Sequence, residues 1–224
     1  MTQAMRDDER ELPTEQRLLL AAERLFAEKG VDAVSLRAIN AAASTNVASL
    51  HYHYGSKDAL LEALIRERSR EIHKRRASLL EALEGAETIT ARGLAEAFAI
   101  PVAELSEAGG DAWITFIANM IGSGHPALDI VTQGFFDHGT RFRALVEKLH
   151  PDWRDGTVVF RLSQAMSLTF RVLGNTDAVR ATVAAGGIEM NNEQVLDELL
   201  DLLTVHLSDP LPTTGAPKAI RKKY

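Results

Sequence analysis

The segment STNVASLHYHYGSKDALL, residues 44–61, carries the most distinctive pattern in the chain. Leu50 and Tyr54 lie four residues apart, so a helix through this segment would place both on one face. Gly55 ends that helix. Ser56 then caps a new helix whose first turn holds Asp58, where the helix dipole favours a negative charge. The segment therefore predicts a short helix followed at once by the start of another.

Two more short elements precede this segment. Thr14 begins a helix whose apolar residues recur at the i, i+3, i+4 spacing of one buried face up to Gly30, and SLRAINAAA forms a second short helix from Ser35. Three short helices in a row, with the second and third joined by a tight turn, describe a helix-turn-helix unit. Helical periodicity continues at about 58–83, 90–106, 111–122, 127–149, 155–173 and 191–207. We expect an all-α fold.

The chain divides by composition into four parts. Residues 1–13 form a flexible arm, 14–60 the helix-turn-helix domain, 61–207 a larger helical domain and 208–224 a flexible Pro-rich, basic tail. The 224 residues are 46% hydrophobic and include no cysteine, which excludes disulfides and thiolate zinc sites and fits a cytoplasmic protein. We expect no signal peptide and no membrane segment, since no apolar run approaches the ~20 residues that a membrane helix needs.

The two histidines of the opening segment suggest three kinds of site: metal, catalytic or DNA-reading. On a helix His51 and His53 point about 200° apart, so they cannot share a metal ion. No nucleophile and base occur together nearby, and GSGHP at residues 122–126 is a loop rather than a nucleophile elbow. We therefore expect no metal, no cofactor and no enzymatic activity.

A helix that reads DNA accounts for more of the segment. With Leu50 and Tyr54 buried, the remaining amide, hydroxyl and imidazole groups face outward, and these are groups that read base edges and hold phosphates. Residues 1–60 hold seven Lys/Arg against nine Asp/Glu. The cationic contacts therefore fall chiefly to Arg37 and Lys57, helped by helix N-termini at Ser35 and Ser56. The candidate DNA-binding residues are Ser35, Arg37, Thr45, Asn46, Ser49, His51, Tyr52, His53 and Lys57.

The stretch SLRAINAAASTNVASLHYHYGSKDALLEAL resembles the DNA-binding motif of TetR/AcrR-family transcriptional regulators. The preceding AAERLFAEKGVDAVSL is similar to the first helix of that family, with its Phe-x-x-x-Gly ending, so the resemblance spans about residues 14–64. This chain departs from the motif at Asn40, at Ser44-Thr45 and at His51, where the family usually has alanine, Gly-Val and tyrosine. Because serine lacks the freedom of glycine at positive φ, we expect a slightly altered turn at Ser44.

The resemblance implies a ligand-responsive regulator, in most cases a repressor, that binds a palindromic operator as a homodimer and is released by a small-molecule effector. It also implies that some apolar residues of the C-terminal domain line an effector cavity, although most of them would serve as core. The candidates are Phe98, Trp113, Phe116, Ile117, Met120, Phe135, His138, Phe142, Met166 and Phe170. They favour an apolar or aromatic effector, with an acid group if an arginine faces inward. The alternative is a DNA-binding protein controlled by a protein partner.

Polar residues on the same segments could orient such an effector. The candidates are Asn119, His138, Arg141, Gln164 and Arg171.

The last two strongly apolar helices are the candidates for the dimer interface, since two helices from each subunit can form a four-helix contact. The residues expected there are Leu162, Met166, Leu196, Leu199 and Leu203. The alternative is that both helices close the core of a single chain.

Overall fold

The structure, a computed structural model, describes residues 11–124 and 128–208, and for Val47 and residues 128–138 it describes the main chain alone. The helices are α1 (Thr14–Lys29), α2 (Leu36–Ala42), α3 (Val47–His53), α4 (Lys57–Glu84), α5 (Ala91–Leu105), α6 (Asp111–Ser123), α7 (Leu128–Leu149), α8 (Asp155–Leu173), α9 (Thr176–Ala185) and α10 (Asn192–Leu207). A π-helical turn, Ser106–Gly110, joins α5 to α6. No strand occurs within the described ranges, and the fold is all-α, as the sequence predicts.

Side-chain caps define where several helices begin. Ser35, Asn46 and Ser56 accept hydrogen bonds from the main-chain N–H three residues later, at 3.2, 3.0 and 3.1 Å. Asn191 makes a reciprocal capping box with Gln194, since each side chain bonds the main chain of the other at 2.8 Å. These caps satisfy N–H groups that have no partner inside their own helix. They are local signals, which explains why the sequence places most helices correctly.

One hydrophobic core runs through the molecule. Helices α1, α2 and α3 form an N-terminal unit around Leu18, Phe26, Ile39 and Leu50, all fully buried. Helices α5 to α10 form a C-terminal bundle, in which α5 packs against α10, and α6 and α8 pack together. The 28-residue α4 runs from the N-terminal unit into the bundle, and α6 packs back on α1. The two parts are therefore joined by α4 and by the contact between α1 and α6.

Helix α9 was not predicted. It lies between Gly174 and Gly186, where the sequence indicates breaks, and none of its residues is buried. An ordinary surface helix is recognised in the sequence by the spacing of the apolar residues on its buried face. Helix α9 has ten residues and no buried face, so its sequence lacks that pattern.

No helix in the described part of the chain is both long enough and apolar enough to cross a membrane.

Candidate nucleic-acid interface

The turn between α2 and α3 adopts the geometry expected for a glycine. Ser44 has φ +52°, in the left-handed region that L-residues rarely occupy. Arg17 of α1 holds this turn from the side: its Nη2 donates to the carbonyl oxygens of Ala43 and Ser44, at 2.6 and 2.7 Å. The turn is therefore kept despite the serine, and a residue distant in the chain stabilises it.

A second contact ties α2 to the turn through the unusual Asn40. This side chain is buried, and its Nδ2 donates to the Leu36 carbonyl oxygen at 2.9 Å. The hydroxyl of Thr45 donates to Asn40 Oδ1 at 2.9 Å, and the Thr45 N–H donates to the Asn40 carbonyl oxygen, also at 2.9 Å. Asparagine and threonine thus replace the usual alanine and valine as a hydrogen-bonded pair. The Thr45 hydroxyl donates within the protein, so a contact from it to DNA stays a prediction.

Helix α3 presents its polar side chains outward. Leu50 is its fully buried anchor, and Asn46, His51, Tyr52 and His53 are exposed. Tyr52 is 85% exposed, an unusual position for a large aromatic side chain without a partner molecule. Ser49 is half-buried, and its hydroxyl lies 3.3 Å from Asn46 Oδ1. The arrangement agrees with the outward face expected from the sequence.

Besides Ser35, Thr45, Asn46 and Ser49, two more of the predicted DNA-binding side chains bond within the protein. His51 Nδ1 lies 2.9 Å from the Gly55 carbonyl oxygen, so Nδ1 must carry the proton and Nε2 is the nitrogen left for a partner. Lys57 Nζ donates to the carbonyl oxygens of Val31 and Val34, at 3.1 and 3.2 Å, and so fixes the loop between α1 and α2. The ammonium has three donors, and two are used here. A phosphate contact from Lys57 stays a prediction.

The other cation, Arg37, is exposed on α2 and makes no hydrogen bond or ion pair to any residue in the described ranges. An arginine without an internal partner keeps all five N–H donors for a phosphate or a base edge. Arg37 is therefore the best-placed cation of the motif for a contact with DNA.

The Tyr54 hydroxyl closes the motif onto the start of α1, where it donates to the Glu15 carbonyl oxygen at 3.2 Å. Burial, with the negative charge of Glu15 next in importance, raises the pKa of Tyr54 above its usual range. The phenol therefore stays neutral and holds the end of α3 against α1. No sequence signal pairs Tyr54 with Glu15 or Arg17 with the turn, because both contacts join residues distant in the chain.

Where the structure describes their side chains, the predicted effector residues are buried, and Phe116 packs against Phe26 of α1. Phe98 stacks on Phe142 with ring centroids 4.1 Å apart, and Trp113 meets Phe170 edge-on at 5.8 Å. Phe116, Ile117, Met120 and Met166 are buried as well. Phe135 and His138 fall outside the residues whose side chains are described. Burial suits both a core and a cavity wall, so the effector role stays a prediction.

Among the polar residues expected to orient an effector, those with described side chains are either bonded to another helix or exposed. Arg141 forms two hydrogen bonds with Glu84, both 2.7 Å long, which lower the pKa of the Glu84 carboxyl. Asn119, Gln164 and Arg171 are exposed. The arginine that faces the interior is Arg76 of α4, which is 3% exposed and donates to the carbonyl oxygens of Ala97 and Phe98. Sequence reasoning missed it because α4 is highly charged throughout.

Most of the residues expected in the dimer interface lie in the core of the single chain. Leu162, Met166, Leu199 and Leu203 are buried, and Leu196 is half-buried. A role for these side chains in dimerisation stays a prediction. The large apolar residues exposed on the same two helices are Val159, Phe160, Leu202 and Val205.

Within the described ranges, no group of three or more His, Asp or Glu side chains could hold a metal ion.

Comparison with known proteins agrees with this geometry. Residues 18–64 match the model for bacterial regulatory proteins of the tetR family, and residues 96–204 match the Tetracyclin repressor-like C-terminal domain. The HTH-type transcriptional regulator UidR of Escherichia coli K12 is 38% identical over 53 residues, which are 24% of this chain and 27% of that regulator. The chain thus aligns with about a quarter of the length of this curated relative.

Solved structures are similar over nearly the whole chain. Salmonella enterica GusR has a TM-score of 0.55 at 20% identity, with 88% of this chain and 96% of that one covered. A TetR-like transcriptional regulator from Rhodococcus sp. RHA1 has a TM-score of 0.59, also at 20% identity, with 86% and 96% covered. At this identity the likeness concerns the fold. Together, the helix-turn-helix, the helical bundle behind it and the two matching domain models show that this chain belongs to the TetR/AcrR family of DNA-binding transcriptional regulators, which are not enzymes.

Proposed function

We propose that the protein is a homodimeric, ligand-responsive repressor that binds a palindromic operator and is released by a mostly apolar or aromatic effector. The observation that carries the proposal is that α3 is held at both ends while its polar side chains face outward. Arg17 and Asn40 bond the turn before this helix and the Tyr54 hydroxyl bonds α1 just after it, whereas Asn46, His51, Tyr52 and His53 remain exposed. A rigid helix with an outward polar face is what major-groove reading requires.

Base reading is tested by removing single polar groups from α3. Ser49→Ala and His53→Ala should each weaken binding to the protein's own promoter by about 1–3 kcal/mol per half-site, while thermal stability changes little, since neither group is buried. Footprinting locates the site, and fluorescence anisotropy on a duplex of that site gives the affinities. Unchanged affinity in both variants would mean that α3 does not read the operator through this face.

Phosphate contact is tested with two exposed cations of the N-terminal unit. Arg37 lies in the first turn of α2, and Lys29 lies at the far end of α1, where it lines a groove toward α6. Arg37→Ala should reduce the slope of log affinity against log salt by about 2 per dimer, because each of two copies loses about one phosphate contact. Lys29→Ala should leave the slope unchanged. Equal slopes for both variants would contradict the assignment.

The dimer face that we propose consists of the outer sides of α8 and α10. Phe160 and Val205 are 62% and 73% exposed, and Val159 and Leu202 are also exposed. On α8, Ser163 and Ser167 share this side, with hydroxyls that donate to the Phe160 and Ser163 carbonyl oxygens of their own helix at 2.7 and 2.9 Å. Small residues with internally satisfied hydroxyls permit close approach of a second copy, so two α8–α10 pairs can form a four-helix contact.

Val205→Lys places a charge in this face and should give a monomer that no longer binds the operator. Asp197→Lys is the control, because Asp197 is exposed on α10 about 80° around the helix from Val205. Sedimentation velocity reports the oligomeric state, and anisotropy reports DNA binding. A dimeric Val205→Lys variant that still binds DNA would refute this placement.

The aromatic interior of the bundle supports the effector part of the proposal. A ligand that binds among Phe98, Trp113, Phe142 and Phe170 would change how the helices pack, and it could shift the population toward a head spacing that no longer fits the operator. The test is a thermal-shift screen of hydrophobic and aromatic acids, followed by anisotropy of the operator complex with each compound that binds. An effector must both raise the melting temperature and release the DNA.

A further inference from the structure

A buried carboxylate lies where the N-terminal unit meets the C-terminal bundle. Glu23 of α1 is 3% exposed, and its Oε2 accepts a hydrogen bond from Arg68 Nε of α4 at 2.6 Å. Burial raises the pKa of Glu23, and the bond and charge of Arg68 act in the opposite direction. A buried carboxylate reduces the stability of the fold unless it is paired with a cation, because it loses its contacts with water. An apolar residue would fill the same space without that desolvation cost.

A third helix begins close to the same carboxylate. The main-chain N–H of Trp113, in the first turn of α6, is the smallest of the influences that lower the pKa of Glu23. Helix α6 has 13 residues, and its N-terminal end carries a partial positive charge that favours a carboxylate there. Glu23 is thus bonded to α4, which runs between the N-terminal unit and the bundle, and it lies beside the start of α6.

Further along the same pair of helices, Asn119 Nδ2 of α6 donates to the Ala27 carbonyl oxygen of α1 at 3.3 Å. Between these two polar contacts, Phe26 and Phe116 pack with ring centroids 5.7 Å apart. Aromatic packing alone tolerates small shifts of one helix along another. A carboxylate bonded to a guanidinium beside a helix terminus tolerates far less, because hydrogen bonds weaken steeply with angle and distance.

If the protein binds DNA as a dimer, the angle between the N-terminal unit and the bundle determines the distance between the two copies of α3. Two copies of α3 must enter major grooves about one helical turn apart, roughly 34 Å or a multiple of it. A rotation of each unit about its contact with α6 changes that separation. We propose that Glu23 is a positioning residue that sets which half-site spacing the operator must have. This inference rests on the proposed function, that the chain binds a palindrome as a homodimer.

The experiment uses duplexes with identical half-sites whose separation increases in single base pairs. Each added base pair moves one half-site by about 3.4 Å and turns it by about 35° around the DNA axis. Anisotropy measures the affinity of the full-length protein for each duplex. We compare the wild type with Glu23→Gln, which keeps the side-chain shape, and with Glu28→Gln, which removes an exposed carboxylate from the same helix.

The wild type should prefer one spacing clearly. In Glu23→Gln the ratio of affinities between the best spacing and its neighbours should fall by about three- to tenfold, the equivalent of the net contribution of one ordinary hydrogen bond. Glu28→Gln should keep the wild-type ratio. Arg68→Lys retains the charge opposite Glu23 and should keep most of the preference, so it serves as the second variant should Glu23→Gln not fold.

Three results would overturn the inference. Glu23→Gln could keep the wild-type spacing ratio, or it could lose affinity equally at every spacing, which would reduce Glu23 to a structural role. Arg68→Lys could show no spacing preference although it folds and dimerises. In each of these cases binding of the palindrome itself survives, so the proposed function would stand. If the wild type bound no palindrome at any spacing, the proposed function and this inference would both fall.

Discussion

Replacing Arg76 with methionine tests why a guanidinium lies in the interior of the bundle. Helix α5 contains Pro101, which has no N–H to offer the Ala97 carbonyl oxygen four residues earlier. Arg76 Nε donates to that oxygen at 3.1 Å, and Nη2 donates to the Phe98 carbonyl oxygen at 3.2 Å. The arginine therefore replaces the helical hydrogen bond that the proline removes.

The charge is costly at this depth. Burial lowers the pKa of Arg76 to about 10, well below the usual value for a guanidinium. That shift corresponds to about 3 kcal/mol of lost solvation. The Arg76→Met variant avoids this cost but leaves the Ala97 carbonyl oxygen without its donor, a penalty of about 1–3 kcal/mol. In a Pro101→Ala background position 101 regains its N–H, so the penalty should disappear. The quantity predicted is the difference: Arg76→Met should cost about 1–3 kcal/mol more in the wild-type background than in the Pro101→Ala background.

Urea unfolding of the wild type, both single variants and the double variant gives this coupling energy. Because the folded-state pKa is lowered, the unfolded state binds more protons only above about pH 10. The stability difference between the wild type and Arg76→Met should therefore stay constant from about pH 6 to 9. If Arg76→Met costs the same in both backgrounds, to within about 0.5 kcal/mol, Arg76 does not serve the carbonyl freed by Pro101.

Three further substitutions test the polar contacts of the N-terminal unit. Ser44→Gly should raise the free energy of unfolding by about 1 kcal/mol, because glycine adopts the left-handed φ of +52° without strain. The urea midpoint should rise at unchanged slope, and a lower midpoint would contradict this. Asn40→Ala and Thr45→Val should each cost about 1 kcal/mol, and the double variant should cost little more than either, because the two side chains share one bond; full additivity would count against that bond. Arg68→Met leaves Glu23 buried without its cation and should cost about 2–3 kcal/mol at neutral pH, a value reduced because Arg68 is 32% exposed. Without Arg68 the pKa of Glu23 should rise further above 4.5, so the folded state binds more protons than the unfolded state. The loss of stability in Arg68→Met should therefore shrink as the pH falls from 7 toward 4.5. A melting-temperature deficit that does not change with pH would refute this.

The sequence predicts the helix-turn-helix because its determinants are local. Caps at Ser35, Asn46 and Ser56 each act over three residues, and Leu50 and Tyr54 are four residues apart. Periodicity likewise locates the longer helices of the bundle. These signals need no knowledge of which helix packs against which, so they survive in a single sequence.

Which side of α10 the core buries could not be predicted by the same reasoning. Helix α10 has leucines on more than one side, and periodicity does not say which side meets the chain's own core. The structure buries Leu199 and Leu203 and leaves Leu202 and Val205 exposed, so the choice depends on how α10 packs against α5 and α8. The contacts of Arg17 with the turn and of Arg68 with Glu23 span 26 and 45 residues, and nothing local in the sequence marks them.

The polar contacts inside this protein occur where apolar packing cannot specify the geometry. Arg17 bonds a turn with a strained residue, Arg76 bonds a helix interrupted by proline, and Glu23 joins two helices at the boundary between the N-terminal unit and the bundle. At each place a main-chain group or a helix end would otherwise lack a partner, and a directional bond fixes one arrangement among several that would bury similar apolar area. Such bonds add little net stability, because desolvation offsets most of their strength. Their effect should therefore appear in the orientation of α3 relative to the bundle more than in the melting temperature, and for a DNA-binding dimer it is this orientation that decides which operators fit.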